Sequence, residues 1–253
     1  MTIAELYEFL NERIPPSLSC EWDNDGLMCC PDPDREVSRV LIALDVTEEI
    51  VQRAIQGEYD LIVSHHPLVF RPLKSITPYS ITADKLITLI KSDVSVMSFH
   101  TRLDAVTGGV NDILAELLGM VSPKPFGDEG LGRIGTLERP MKFRDFVELV
   151  KELLGCEAVE AAYAGRMVHN VAVLGGSGSS EIAEAKRAGA DTYLTGELSY
   201  HNLCDAKENG VNLIAAGHFH TENPVCDHLA ALISEADELI EIDIESSLRY
   251  EIM

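Results

Sequence analysis

The sequence predicts an α/β protein made of two similar lobes from an internal duplication, with mixed, largely parallel sheets flanked by helices. Short apolar runs at 39–45 and 61–63 alternate with helical patterns, which is typical of β–α–β units. The second half repeats this alternation, and its runs at 170–175 and 190–196 correspond to the first two. In both halves a later strand leads into a histidine with a carboxylate four residues further on.

The first lobe begins with a helical pattern over 3–14 that stops before Pro15. Thr47 is the predicted N-cap of the helix between the first two strands, and Gly57 ends that helix. The remaining predicted elements of this lobe are a helix over 82–91, a strand over 95–99 and a helix over 111–118.

Residues 121–135 are rich in proline and glycine and predict a linker or an irregular crossover. We therefore expect a first lobe over residues 1–122 and a second lobe over 123–253, whose C-terminal segment can pack back onto the first. The third strand of the second lobe is predicted over 212–217, and the helix after it over 224–233.

The net charge of −22 in 253 residues disfavours nucleic acid as a partner, because such a field repels phosphates. Part of the charge follows Ser234, and we interpret it as an acidic, solvated surface. No apolar run is long enough for a membrane span, and the N-terminal stretch is typical of an amphipathic helix rather than a signal peptide. Six cysteines without a CxxC pair predict reduced thiols and a cytoplasmic protein.

Two adjacent histidines, His65 and His66, follow the apolar run at 61–63. Pro67 cannot donate a ladder hydrogen bond, so the strand must stop at this point. In open α/β sheets, ligands bind at the carboxyl ends of the strands. A tandem histidine there is either structural or part of a metal site.

The duplicated strand ends supply a mixed set of imidazoles and carboxylates. Such a set suits Zn, Fe, Mn or Co better than Ca. Two of the ligands are carboxylates that can bridge, which favours two divalent metal ions about 3.5–4 Å apart in the cleft between the lobes. The five candidate ligands are His65, His66, Asp104, His218 and Glu222.

Five motifs together resemble one known family. They are SHHP at 64–67, HTRLDAVTGGVN at 100–111, GHFHTE at 217–222, WDNDGL at 22–27 and TGE at 195–197. In this order they are similar to the NGG-one-interacting-factor-three-like (Nif-three-like) family, whose members are often named GTP cyclohydrolase I type 2 homologues. The chain resembles the short form, which lacks an inserted domain between the halves.

The resemblance implies a homohexameric toroid with dinuclear metal sites that face an internal cavity. It also implies that the five ligands named above bind the ions, with Glu222 as the bridge between them. His220 is an extra imidazole inside the last motif. It is a substrate contact, an additional ligand or a solvent-facing side chain, and its spacing favours the last of these.

Two residues are candidates for proton transfer. His100 leads the second motif, and we expect it to orient Asp104 or touch the substrate rather than bind metal. Glu197 stands at a strand end of the second half, aligned with His65 of the first. With His201 it forms either a general base and its partner or a structural ion pair.

Three loops have open interpretations. The loop at 22–26 is either a binding loop or a turn anchored by a buried Trp22. The glycines at 175–178 open a helix as a phosphate cradle does, but the lysine of such loops is missing. Thr101 and Asn111 are expected to hydrogen-bond within the loop at 100–111 and hold the ligands.

These residues predict a metal-dependent hydrolase that acts on a small molecule, a nucleotide or a phosphoester. The alternative is a non-catalytic metal-binding scaffold or metal chaperone. An enzyme needs an open coordination position, whereas a binding protein tolerates a filled one.

Overall fold

The predicted apolar runs form the central strands of two sheets in a computed structural model, which describes residues 1–248. The strands are β1 (Gly26–Cys29), β2 (Arg39–Ala43), β3 (Leu61–Ser64), β4 (Ser95–Ser98), β5 (Met120–Phe126), β6 (Gly132–Met141), β7 (Glu160–Ala162), β8 (Val168–Leu174), β9 (Thr192–Thr195), β10 (Asn212–Ala215) and β11 (Glu241–Glu245). The helices are α1 (Ile3–Arg13), α2 (Glu48–Gln56), α3 (Ile81–Lys91), α4 (Thr101–Ala105), α5 (Val110–Leu117), α6 (Phe143–Leu154), α7 (Ile182–Arg187), α8 (Tyr200–Asn209), α9 (His218–Glu222) and α10 (Val225–Ala236). The predicted fold class, mixed α/β with two mixed sheets flanked by helices, is confirmed.

The contacts divide the chain into two compact units. The first contains Met1–Val106 and Val225–Ser247, and the second contains Thr107–Pro224. The first unit therefore takes in α10 and β11, although these elements follow the second unit in the chain.

The first unit is organised on a five-stranded sheet of order β1-β4-β3-β2-β11. All its pairs are parallel except β1 with β4. The central strands are buried on both faces, because neighbouring residues such as Leu41 and Ile42 are both fully buried. The α2 helix begins at the predicted N-cap, where the Thr47 side chain accepts a hydrogen bond from the Ile50 N–H, and Gly57 caps its end.

The second unit is organised on a six-stranded sheet of order β5-β6-β8-β9-β10-β7. Strands β8, β9 and β10 are parallel, while β7 and β6 pair antiparallel to β10 and β8. Val173 and Leu174 belong to two different apolar clusters, as expected of successive residues that point to opposite faces of a sheet.

The predicted linker at 121–135 is wrong. Most of it lies in the antiparallel pair of β5 and β6. Pro123 and Pro125 are tolerated because β5 is the edge strand of its sheet, where a missing N–H costs no ladder hydrogen bond on the open side. A register shift between Val121 and Lys124 accommodates the proline between them.

One buried aspartate in each unit links the beginnings of neighbouring strands. The Asp60 carboxylate accepts hydrogen bonds from the backbone N–H groups of Ser38 and Arg39 at 2.8 and 3.0 Å. In the second unit the Asp191 carboxylate accepts from the N–H groups of His169 and Asn170, at 3.0 and 2.7 Å to Oδ2. The two aspartates therefore occupy equivalent positions.

The acidic residues of β11 are paired rather than merely solvated. Strand β11 runs parallel to β2, and the Glu241 carboxylate lies 3.1 Å from Arg39 Nε. Glu245 forms an ion pair with Arg53, and Tyr59 donates its hydroxyl to Asp243 at 2.5 Å. These carboxylates therefore lie at the surface, as predicted, but in ion pairs and a hydrogen bond with the first unit. Within residues 1–248, no helix is long and apolar enough to cross a membrane.

Candidate metal centre

The tandem histidines lie just beyond the end of β3. The Ser64 hydroxyl donates to the carbonyl of His66 at 2.8 Å and lies 2.9 Å from the Ser98 hydroxyl, which holds the chain as it leaves the strand. His65 is fully buried, and its Nδ1 lies 2.9 Å from the carbonyl oxygen of Phe99. That carbonyl can only accept, so Nδ1 carries the proton and Nε2 is the basic nitrogen of His65.

His66 has the same arrangement with a carboxylate partner. Its Nδ1 lies 2.8 Å from Oδ1 of Asp45, two residues beyond the end of β2. A carboxylate at Nδ1 is the usual partner of a histidine that binds metal through Nε2. Sequence reasoning missed Asp45, although its place at the end of the neighbouring strand was a usable signal.

Asp104 lies on the short helix α4, where the sequence predicted only a loop. Its Oδ1 is 3.7 Å from Nε2 of His65. Two ligands that are each about 2.1 Å from one ion stand about 3.4 Å apart. The pair is therefore close to the spacing that a shared ion requires.

His100 joins this group. Ligand nitrogens of His65, His66 and His100 all lie within 4.8 Å of one another, the spacing of a possible metal site. Nδ1 of His100 lies 2.8 Å from Oδ1 of Asp23, a buried carboxylate in the loop before β1. The structure thus places His100 beside the two histidines of its unit that could bind a metal ion, and its role in proton transfer stays a prediction.

The loop before β1 is anchored by its carboxylates and not by its tryptophan. Trp22 is 57% exposed, so the interpretation of a turn held by a buried tryptophan is wrong. Asp23 accepts from the N–H of Thr101 at 3.0 Å and from its hydroxyl at 2.6 Å. Burial alone would raise the pKa of Asp23, but the hydrogen bonds from His100 and Thr101 outweigh it and hold the pKa well below its usual value.

Asp25 and Arg102 hold the rest of α4. Arg102 is almost fully buried, lies 4.6 Å over the Phe99 ring, and places its Nε 3.2 Å from Oδ2 of Asp25. The Nη1 atom of Arg102 donates to the side-chain oxygen of Asn11 at 2.8 Å. A buried guanidinium with these partners fixes the helix that carries Asp104.

In the second unit the two predicted ligands lie on one helix. His218 and Glu222 are four residues apart on α9, and Nε2 of His218 lies 3.1 Å from Oε2 of Glu222. Nδ1 of His218 lies 3.0 Å from Oε1 of Glu197. The expected partner of Glu197, His201, has its ring 5.5 Å from that of Tyr200 instead.

Register corrects the position assigned to Glu197. Asp60 and Asp191 are equivalent, so the fifth residue after each is His65 and Gly196. Glu197 therefore corresponds to His66 and not to His65. The second unit has no side chain beyond hydrogen at the position of the buried histidine.

Glycines let the backbone approach the ligands of the second unit. A Cβ on Gly176, which has φ +63°, would collide with the Glu222 carboxylate and lie 3.0 Å from Nε2 of His218. A Cβ on Gly196 would lie 2.8 Å from the Cα of His218. Any other residue at these two positions would displace the ligand pair.

Three N–H groups of the glycine loop at 175–178 already donate to side chains of the same unit. The N–H of Gly175 donates to Oδ1 of Asn111 at 2.8 Å, and that of Gly176 donates to the Thr221 hydroxyl at 3.0 Å. The N–H of Gly178 donates to the Thr195 hydroxyl at 3.0 Å. The phosphate-cradle interpretation is therefore not supported. Asn111 was expected to hydrogen-bond within the loop at 100–111, but this hydrogen bond joins it to the glycine loop instead.

His220 turns toward its own unit. Its Nδ1 lies 3.2 Å from the carbonyl oxygen of Leu154, and its ring centroid is 5.6 Å from that of Phe219. Its side chain is partly buried, so it is not the solvent-facing histidine that the spacing favoured.

The donor chemistry of both units fits a divalent transition metal. In His65, His66 and His218, an oxygen acceptor lies at Nδ1, so Nε2 is the nitrogen that could coordinate a metal ion. Carboxylate oxygens of Asp104 and Glu222 lie 3.7 and 3.1 Å from two of these Nε2 atoms. Mixed imidazole and carboxylate ligands suit Zn, Fe, Mn and Co.

Together the fold and these side chains define a two-unit α/β protein with groups of histidine and carboxylate residues that can bind metal. The Duf34/NIF3 (NGG1p interacting factor 3) family model matches residues 1–249, and the chain belongs to this family. It is the family that the sequence motifs resembled, so that prediction is confirmed.

The similarity to individual relatives extends over most of their length. A Clostridium perfringens protein named GTP cyclohydrolase 1 type 2 homolog is 35% identical over 254 residues, covering 97% of this chain and 95% of the relative. The Schizosaccharomyces pombe protein NIF3 homolog is 34% identical, covering 90% and 89%. The crystal structure of Staphylococcus aureus hypothetical protein SA1388 superposes with a TM-score of 0.89 at 27% identity, covering 100% of this chain and 99% of that one.

Proposed function

We propose that this protein is a metal-dependent hydrolase that binds two divalent ions and acts on a nucleotide or a phosphoester. The observation that carries the proposal is the repeated histidine geometry, with an oxygen at Nδ1 and a carboxylate facing Nε2, in both units. The residues proposed to hold the ions are His65, His66, Asp104, His218 and Glu222.

Five ligands are more than one open metal site needs, which supports a pair of ions, and the family resemblance supports Glu222 as the residue that would hold both. When bound, such a pair supplies Lewis acidity and activates water near neutral pH. The identity of the metal is left to Zn, Fe, Mn or Co, because imidazole and carboxylate accept all four. Asp45 and Glu197 would hold His66 and His218 in the orientation that coordination requires.

The substrate class is supported by the proposed ions and by relatives. The net charge of −22 repels phosphate groups, so a phosphate-bearing substrate would need the bound cations to offset that repulsion. The name GTP cyclohydrolase 1 type 2 homolog, carried by the Clostridium perfringens relative, supports a nucleotide.

His100 and Glu197 are the proposed proton-transfer groups. Asp23 accepts at Nδ1 of His100 and fixes the tautomer, so a proton would move through Nε2. Glu197 is exposed and touches His218, so it can hold that ring and also receive a proton from water.

The test combines metal content with turnover. We expect the purified protein to bind about two Zn or Mn ions by elemental analysis and to hydrolyse at least one member of a panel of nucleotides and phosphoesters. His65→Ala should lose most of the metal and the turnover. His228→Gln is the matched control, because His228 lies on α10 and, among residues 1–248, it belongs to no group of potential metal ligands.

Two results would contradict the proposal. Turnover that survives His65→Ala would come from a contaminant. Tight stoichiometric metal without turnover on any substrate would instead support the alternative of a non-catalytic metal-binding scaffold or chaperone.

We also propose a homohexameric toroid in the cytoplasm, which the family resemblance supports. Light scattering coupled to size-exclusion chromatography should give six times the chain mass of 27.8 kDa. A monomeric or dimeric mass would exclude this assembly.

A further inference from the structure

Three aromatic rings pack edge to face in the first unit. The centroid of Trp22 lies 6.2 Å from that of Phe70 and 6.2 Å from that of His100, at interplanar angles of 80° and 79°. The Phe70 and His100 centroids are 5.8 Å apart at 88°. Such T-shaped contacts stabilise a cluster of defined geometry.

The two apolar rings of this cluster are open to solvent. Trp22 is 57% exposed and Phe70 is 43% exposed. Two large apolar rings that lie together at the surface leave apolar area in water, and a ligand that covered them would gain free energy from burying it.

The aromatic cluster adjoins the candidate metal centre through a shared residue. The His100 ring lies 5.3 Å from the His65 ring and 5.9 Å from the His66 ring, centroid to centroid. A ligand that covers Trp22 or Phe70 would therefore extend directly toward the nitrogen atoms proposed to bind metal.

The loops that carry the rings are tied together. The Asn24 side chain donates to the carbonyl of Val69, next to Phe70, and Asp23 accepts hydrogen bonds from His100 and Thr101. The rings therefore stand in a fixed arrangement before a ligand arrives, which limits the entropy lost on binding.

We propose that Trp22 and Phe70 form a subsite for the planar heteroaromatic ring of the ligand, with a nucleobase as the ligand class. This inference rests on the proposed function, because it assigns the ring of a substrate whose anionic part lies at the metal centre. Stacking on an aromatic side chain suits any base, since every base has a π face.

A macromolecular partner is a poorer occupant of this patch. Phe and Trp side chains carry roughly 150–250 Å² each. Two partly exposed rings thus fall well below the roughly 800 Å² that each partner buries in a standard protein interface.

Trp22 is the only tryptophan of the chain, so its fluorescence reports directly on the subsite. We would titrate the protein as purified, without added chelator, with GMP, AMP and UMP, and with ribose 5-phosphate as a probe that lacks the ring. We expect saturable changes in emission with the three nucleotides and none with ribose 5-phosphate.

Substitutions at the two rings test whether nucleotides bind at this subsite. Phe70→Leu should weaken nucleotide binding about 5- to 100-fold, as loss of one stacking partner does. Trp22→Leu, followed by calorimetry, should give a loss of the same size, and Trp22→Phe should restore part of the affinity. Tyr79→Leu is the matched control, because Tyr79 is a 96% exposed aromatic of the same unit and its substitution should leave binding unchanged.

The outcomes separate this inference from the hydrolase proposal, because ring binding is measured by Trp22 emission and calorimetry and not by turnover. Equal responses to ribose 5-phosphate and GMP would overturn the subsite, as would nucleotide affinity that is unchanged in folded Phe70→Leu and Trp22→Leu. Emission that shifts with protein concentration but not with nucleotide would assign the rings to contact with a second copy of the chain and would also overturn it. A lack of turnover alongside intact nucleotide binding would contradict only the hydrolase.

Discussion

The two units share a four-stranded arrangement and differ in how they present ligands at its end. The strand order β1-β4-β3-β2 of the first unit is repeated as β7-β10-β9-β8 in the second, with the antiparallel edge strand in the same place. The equivalent aspartates Asp60 and Asp191 accept the same pair of backbone N–H groups. Only the outer additions differ, namely β11 in one unit and β5 with β6 in the other.

At the strand ends the two units diverge. The first fills the space with side chains, because His65 is fully buried and its helix α4 is held by Asp23 and Asp25. The second unit has Gly176 and Gly196 at its strand ends. Because these residues have no side chain, their backbone can lie close to His218 and Glu222 of α9. Two copies of one scaffold can therefore keep the same strand order while each presents different side chains at its strand ends.

The largest expected effect concerns the shared aspartates. Asp60→Ala and Asp191→Ala should each lower the free energy of unfolding by about 2–4 kcal/mol, because two backbone N–H groups lose their acceptor and a buried side chain is removed. The cost should be higher for Asp60, which also pairs with Arg35 at 2.7 Å. Urea unfolding would measure both, with the exposed Asp205→Ala as a control expected to stay within about 0.5 kcal/mol. If either variant unfolded like the wild type, the equivalence of the two aspartates would fail.

The second prediction addresses the glycines that distinguish the second unit. Gly176→Ala should destabilise the fold by about 2–3 kcal/mol, since its methyl group meets Glu222 and its backbone is left-handed. Gly189→Ala separates the two causes, because Gly189 has φ +96° but nothing within 4 Å of its Cβ. We expect the control to cost only about 1 kcal/mol in thermal or urea unfolding. Equal costs would mean that backbone strain, and not the approach to the ligands, explains Gly176.

The third prediction compares the carboxylates behind the histidines. Asp45→Asn and Glu197→Gln should each weaken metal binding about 10- to 100-fold, because the imidazole loses its charged acceptor. Competition between the protein and a chelating dye for Zn or Co would measure this, and the Co absorption spectrum would report on ligand geometry. Glu208→Gln removes the same charge from the exposed surface of α8 and should leave the affinity unchanged. Losses no greater than that of the control would remove the proposed positioning role.

The smallest effect concerns thiol reactivity. Burial and the adjacent Cys30 raise the pKa of Cys29 to about 11 in the first unit, and burial raises that of Cys156 to about 11 in the second. Iodoacetamide at pH 8 should therefore modify the exposed Cys204 first, and Cys29 and Cys156 only on unfolding. The stability that comes from keeping both thiols neutral is present below pH 9 and is lost as the pH rises toward 11. Mass spectrometry of the alkylated protein would check the order, and early modification of Cys156 would contradict the burial.

Periodicity predicted most of the fold because its central elements follow local rules. Apolar runs located the parallel strands, and cap residues such as Thr47 and Gly57 located helix ends within a residue or two. Strand pairings that depend on segments elsewhere in the chain were missed. Strands β5 and β6 were hidden by prolines that only an edge position tolerates, and the acidic pattern of β11 did not reveal its pairing with β2.

The candidate site shows the same division. Motif spacing pointed to the histidines and carboxylates themselves, since ligand chemistry depends on residue type. The partners that orient them were missed, because Asp45 lies 21 residues from His66, and Asp23 lies 77 from His100. The repeat pattern of the sequence also placed Glu197 one position away from its true equivalent, and only strand register corrected this.

By itself, the sequence determined the α/β class, the internal repeat, the family and the types of atom available as ligands. These properties follow from apolar periodicity and from residue identity, both of which are local. Only the tertiary structure decided which nitrogen of each histidine faces a carboxylate, that Trp22 lies open beside His100, and that glycines crowd the second ligand pair. The reason is physical: hydrogen-bond direction, burial and close packing arise between segments that are distant in the chain, and no local pattern encodes them.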